Sequence, residues 1–367
     1  MIDFQNFTEY FKQLPIILKI IWVLIFLLSI SILGLILYLK KLRINLRANE
    51  KKFVKFQKIY EEILINYLYA GDEENKISTE QEKLINKIKR EIKSKFKRNI
   101  IISVMSKLID DISGEMADSI ILFYFETGLI NHSLKKLKSN KWNIVASGIK
   151  ELAQFKVTDV NDEIIKHIKH PNREVRNEAQ LYLVGLFHFK GLEFLDNFKT
   201  PLSEWDQIQL LETLQNFDNQ EIPNISPWLK SENHSVVKFA LKLARIYNQF
   251  DVIDTLLELL KHENQEIRVQ AINVLGYFQD TNSKDFLKNN FVNASEEEQI
   301  AFFKLLENSA DSNDETFILE HIKSDVFEIK LAAFKILKIN NFEKFQEVKL
   351  IMEDEQSIEI VKFLENN

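Results

Sequence analysis

Two histidines three residues apart, His167 and His170, are spaced to share one helix face and offer two imidazole nitrogens to a divalent metal. Two carboxylate runs, Glu296-Glu297-Glu298 and Asp311 to Glu315, are the other clusters whose residue types could do chemistry. The surrounding sequence argues against both uses. His170 ends a triplet that recurs as Leu137-Lys138-Ser139, Ile168-Lys169-His170, Leu229-Lys230-Ser231, Leu260-Lys261-His262 and Ile322-Lys323-Ser324. A position that accepts Ser or His reads as a helix terminus, where a side chain meets unpaired carbonyls. The carboxylate runs read as solvated loop and helix-start residues. The chain has no HExxH, GxSxG, CxxC or Gly-rich phosphate loop. Its cysteine count of zero removes thiolate ligands, disulfides and cysteine nucleophiles. The expectation is a protein with no catalytic, cofactor-binding or metal residues.

The triplets themselves are the stronger signal. Seven residues after each leading apolar residue stands a β-branched one: Ile144, Val175, Val236, Ile267 and Ile329, spaced 31, 61, 31 and 62. Four residues further on there is a small residue in every copy: Gly148, Ala179, Ala240, Ala271 and Ala333. Two weaker copies fill the gaps near Ile208 and Ile300, with Glu212 and Lys304 at the small position. Within one unit, Phe250 to Tyr277, two apolar faces of helical period flank a polar turn, where Asn264 is placed to cap the second helix. Neither helix can bury its stripe alone, so the units must stack. With few glycines and prolines, the fold expected is all-α: an α-α superhelix of about seven repeats behind a single N-terminal transmembrane helix.

A polar turn, a β-branched residue, a basic residue in some copies (Val175-Arg176, Ile267-Arg268, Ile329-Lys330) and then Ala resembles the HEAT-repeat family, in its short-period HEAT-like branch. Val145 and Val237 depart from the basic position. The stretch from Ser113-Gly114-Glu115 to Trp142 is similar to membrane-anchored HEAT-repeat proteins of Bacteroidota. The resemblance implies a protein-binding solenoid. It also keeps open a HEAT-like enzyme such as a lyase or glycosylase, since fold does not dictate function.

Residues 20–39 are twenty positions without a charge, enough to span about 30 Å of hydrocarbon. They run directly into Lys40-Lys41 with no small-x-small site, which favours an uncleaved anchor over a signal peptide. Residues 40–59 hold eight Lys/Arg and one acid, placing the C-terminal part in the cytoplasm and the N-terminus outside an inner membrane. The expected domains are a short extracytoplasmic tail (1–15), the transmembrane helix (16–39), basic juxtamembrane stalk helices (40–112) and the solenoid (113–367). In the stalk, Phe53, Phe56, Tyr60, Ile63 and Tyr67 form a short seam for packing or dimerisation. A second stretch, Ser78 to Leu108, is basic and amphipathic. Lys40, Lys41, Arg43, Arg47, Lys87 and Arg90 are its and the anchor's candidates for contact with anionic lipid.

Residues 101–367 hold 29 basic and 43 acidic side chains, a balance that disfavours nucleic acid. The partner expected is a protein, bound by a scaffold or adaptor, or by an accessory subunit of a membrane transporter or a polysaccharide or lipid synthase. The second helix of each repeat is expected to line the concave face, with Arg176, Lys238, Arg268 and Lys330 exposed there to the partner. Trp142, Trp205 and Trp228 are expected to pack in the core or between repeats.

Overall fold

The computed structural model describes residues 15–71, 77–217 and 221–366. The expected tail at 1–15 lies outside them apart from Pro15, as does most of the break at 70–75. Among the described residues there are nineteen α-helices and no strand. The chain divides into two compact units, residues 1–135 and 136–367.

The first unit is built on one helix, α1 (Ile16–Tyr69), which starts behind Pro15 and has no proline to break it. The expected anchor and the first stretch of the expected stalk are therefore a single continuous helix. Every residue from Ile20 to Lys55 is exposed. Beyond that, Tyr60, Ile63, Leu64 and Tyr67 are buried against α2 (Thr79–Glu91), α3 (Lys95–Asp111) and α4 (Glu115–Glu126). Tyr67 and Phe123 meet edge to face at 4.6 Å. The C-terminal half of the seam thus packs within the chain, while Phe53 stays exposed. The basic stretch expected as one helix from Ser78 to Leu108 is two helices with a turn at residues 92–94. Ser78 caps α2 through a box with Gln81. At the turn, Arg98 donates to the Ile92 carbonyl at 2.9 Å, which satisfies an end group that a continuous helix would have used. The unit closes with α5 (Ile130–Leu137).

The second unit repeats a short helix and a longer one. The longer helices are α6 (Trp142–Gln154), α8 (Arg173–Phe187), α9 (Glu204–Gln215), α11 (His234–Ile246), α13 (Gln265–Tyr277), α15 (Glu296–Ser309) and α17 (Phe327–Asn340). The short ones are α7 (Asn161–His167), α10 (Ser226–Leu229), α12 (Ile253–Leu259), α14 (Ser283–Asn290), α16 (Glu315–His321) and α18 (Phe342–Leu350); a 3₁₀ stretch, His188–Asn197, stands in before α9. A last helix, α19 (Glu355–Asn366), follows. The longer helices begin 31, 31, 30, 31, 31 and 31 residues apart. They pack on one another in chain order, α6 on α8, α8 on α9, α11 on α13, α13 on α15, α15 on α17 and α17 on α19.

This beat corrects the register of the two weak copies. In the five strong copies the β-branched anchor is the third residue of the longer helix. The third residue of α9 is Asp206 and that of α15 is Glu298, two positions before the expected Ile208 and Ile300. Both acids close capping boxes, with Ser203 and Ser295. Four residues on stand Leu210 and Phe302, buried like the small residues of the strong copies.

Three of the longer helices, α6, α11 and α13, turn at their ends without the usual glycine. Lys156, Asn248 and Gln279 hold the left-handed position at φ of 50°, 51° and 55°. The next residue in each case donates back around the end, Val157 to Leu152, Gln249 to Ala244 and Asp280 to Leu275, at 2.9 to 3.0 Å. A side chain at positive φ costs energy that glycine does not. Gln279→Gly is therefore expected to stabilise the chain by about 0.5–1 kcal/mol, read as a raised melting temperature. An unchanged or lower value would show that Gln279 gains something the backbone angle hides.

Candidate functional site: a polar groove

The turn between the two helices of each repeat is held by the triplet and by the fourth residue of the longer helix. Ser139, His170, Ser231, His262 and Ser324 each accept an N–H from two residues on, at 3.0 to 3.2 Å. The position is a helix end, as expected, but the side chain meets an N–H and not a carbonyl. For His170 and His262 the accepting atom is Nδ1, which fixes the proton on Nε2. That bond occupies one nitrogen of the His167–His170 pair.

The carbonyls are met from the other side. Arg176 Nη1 donates to the carbonyls of His170 and Pro171 at 2.8 and 2.9 Å. Arg268 Nη1 does the same for His262 and Glu263 at 2.7 and 3.0 Å. Gln207 and Gln299, at the same place in α9 and α15, donate to Leu202, and to Phe291 and Ala294. In Arg176 and Arg268 the recurrent basic residue is thus a structural donor to its turn, and glutamine replaces it in α9 and α15.

Of the four residues expected to be exposed for a partner, none is. Lys330 is 7% exposed and reaches Asp354 and Gln356 at the start of α19. Arg268 grips Glu298 through two bonds, of 2.6 and 3.1 Å. Lys238 pairs with Glu266, and Arg176 holds its turn. Together with Arg173–Asp206 at 2.9 Å and Lys335–Glu307 at 2.5 Å, these pairs tie α8 to α9, α11 to α13, α13 to α15, α15 to α17 and α17 to the start of α19. The acids expected to be solvated include two that are not. Glu298 is 8% exposed, and Asp314, at 1%, is held by Lys284 and Lys288. Trp228 is buried and donates to Asp196 at 2.7 Å, but Trp142 and Trp205 are 48% and 61% exposed.

The N-terminal ends of α9, α11 and α13, with the loop at 195–203, open a groove of about 1040 Å³. Gln207, Asn233, Ser235, Lys238, Lys242 and Gln270 line it. Most of these side chains are pre-positioned by bonds to their neighbours. Lys242 donates to Gln207 Oε1 at 2.9 Å, and Asn233 Nδ2 to the carbonyls of Phe198 and Thr200 at 2.8 and 3.0 Å. Ser235 Oγ bonds Asn233 Oδ1 at 2.7 Å and accepts from Leu202 N–H at 2.8 Å. The Oε1 of Gln270 is buried without a partner. Such a lining offers fixed donors and acceptors to a polar chain rather than a greasy pocket for a cofactor. Among the described residues no three His, Asp or Glu side chains converge on a metal-sized site.

The lipid candidates lie in the other unit. Lys40, Lys41, Arg43 and Arg47 are exposed along α1, and Lys87 and Arg90 along α2. The groove was out of reach of the sequence: apart from Lys238, its lining residues come from three repeats with nothing in their spacing to mark them. No family model and no curated protein matches this chain.

Proposed function

We propose that this chain is a single-pass membrane adaptor whose HEAT-like α-solenoid holds a protein partner on the cytoplasmic side. The observation that carries the reading is the 30- to 31-residue beat of longer helices, because the starts of three successive ones, α9, α11 and α13, then form one polar groove. The uncharged, fully exposed stretch of α1 at residues 20–39 supports a membrane span, and the cations from Lys40 to Lys58 support a cytoplasmic C-terminal part. Anchoring raises the local concentration of the groove beside membrane partners. The groove's fixed amides, with lysines and carboxylates both in its lining, suit an extended, polar segment. An accessory subunit of a transporter or of a polysaccharide or lipid synthase is the same reading with a particular partner.

The test is capture from native membranes in mild detergent. Wild-type chain is expected to retain a stoichiometric partner. Lys238→Glu/Lys242→Glu is expected to lose it at least about ten-fold, the equivalent of about 1.4 kcal/mol, while keeping its helical signal. Undiminished capture by the double variant would remove the groove from the account.

A further inference from the structure

We propose that the α2–α3 turn is a second membrane contact, which docks on anionic headgroups and sets the tilt of α1. The inference rests on the reading that α1 crosses the membrane. Residues 83–98 hold eight cations and one acid. The acid is engaged: Glu91 pairs with Lys97 and accepts from Tyr60 at 3.3 Å. Lys87, Lys89, Arg90, Lys93 and Lys95 are exposed.

The topology aims this cluster. Gln81 donates to the Tyr67 carbonyl at 3.0 Å, Glu91 meets Tyr60, and Phe96 meets Phe56 edge-on at 6.3 Å. As the chain advances from 81 to 96, its partners on α1 recede from 67 to 56. Helix α2 therefore runs back along α1, and its far end points toward the span.

Two further features fit the same occupant. The first turn of α3 has no acid and no side-chain cap, and instead holds Lys95, Lys97 and Arg98. Cations there oppose the helix dipole, a local cost that an anion offsets. On α1, Phe53 and Leu46 stand seven and fourteen residues before Tyr60, itself seven before Tyr67, with Leu42 beside them, so they share the face that packs on α2 and α3. All three are exposed. A surface that is anionic above and apolar below, reached from that side of α1, is a lipid bilayer.

The distances allow it. From Lys40 to Phe56 the helix advances about 24 Å. A tilt of about 40° toward the α2 face, the upper end for membrane helices, leaves the α1 axis at Phe56 about 18 Å from the hydrocarbon, and the roughly 10 Å offset of a packed helix lowers the turn by about 6 Å more, to about 12 Å. With a headgroup layer of about 6 Å and a screening length of about 8 Å, the cluster is then within reach.

The absence of cysteine makes the test simple. Ser94 is exposed at the turn, so Ser94→Cys in the full chain carries one fluorophore. Energy transfer to headgroup-labelled lipid is read in nanodiscs of phosphatidylcholine with and without phosphatidylglycerol. Transfer is expected to rise with the anionic lipid, to fall back in 0.5 M salt, and to lose the rise in Lys89→Glu/Arg90→Glu/Lys93→Glu/Lys95→Glu. The matching four-Gln variant, which removes charge without reversing it, is expected to lose the rise too. Equal transfer in the two lipids would overturn the proposal while leaving the span intact. A chain that fails to enter nanodiscs at all would overturn the span and the proposal together.

Discussion

Gly191→Ala unfolds the second unit at a markedly lower temperature, with a stability loss of about 3 kcal/mol, at the upper end for overpacking. The 3₁₀ stretch at 188–197 folds back on α8 so closely that a methyl at 191 would sit 2.2 Å from the Leu183 carbonyl oxygen and 2.8 Å from the Val184 nitrogen. These are backbone atoms inside a helix and cannot step aside. His188, which turns the chain at φ 55°, leaves no slack on the entering side. Two other glycines calibrate the effect. At Gly276 a methyl would meet Leu305 Cα and Cβ at 3.2 Å, so α15 must give slightly and a smaller loss is expected. At Gly185 the nearest atom is 3.9 Å away, and the helix gains alanine's better propensity, worth up to about 1 kcal/mol. The expected order of melting temperatures is 185, then 276, then 191. If Gly191→Ala melted with wild type, the packing of the 3₁₀ stretch on α8 would be wrong.

Arg268→Ala is expected to cost about 2–4 kcal/mol at neutral pH. The variant strands the Glu298 carboxylate in a buried place and frees two turn carbonyls. Burial pushes the Glu298 pKa up, but its bonds to Arg268 and Ser295 outweigh this and hold it below the usual carboxylate range. Asp314 behaves alike, with burial opposed and overcome by Lys288, the Asp311 N–H and Lys284. A carboxylate whose folded pKa is depressed adds stability above its unfolded pKa, near 4, and loses it as pH falls through the folded value. Wild type should therefore hold its stability from neutral pH to about 5 and lose it below about 4. In Arg268→Ala the bonds to Ser295 remain but the guanidinium that opposed burial is gone, so Glu298 moves up from its wild-type value and protonation relieves part of the cost. The gap between wild type and variant should narrow on acidification, and Arg268→Ala/Glu298→Gln should recover part of the loss at pH 7. A gap that stayed constant with pH would mean that Glu298 is not the stranded charge.

These two sites also show what the sequence disclosed and what it hid. The 31-residue unit was legible because five triplets and five β-branched anchors repeat with little drift. The helix–turn–helix form followed, and Asn264 does cap α13, bonding the Ile267 N–H at 3.2 Å. The register of α9 and α15 was not legible, because Asp206 and Glu298 occupy buried anchor positions. A buried acid looks like surface until its arginine is known, and Arg173 and Arg268 come from the preceding repeat. The helix ends were equally hidden, since Lys156, Asn248 and Gln279 stand where glycine would mark them. Arg176, Lys238, Arg268 and Lys330 were singled out by recurrence, which reports a shared structural task as readily as a shared partner. The groove was invisible for a related reason: Gln207, Lys242 and Gln270 converge only once three repeats are stacked.

The most direct test of the central claim places a photo-crosslinking amino acid at Gln270, in the groove, and separately at Lys362, exposed on α19. Full chains are irradiated in native membranes, and adducts are identified by mass spectrometry. The account predicts one discrete protein adduct from position 270 that is absent from 362 and absent in Lys238→Glu/Lys242→Glu. No adduct at 270, or the same adducts from both positions, would contradict it.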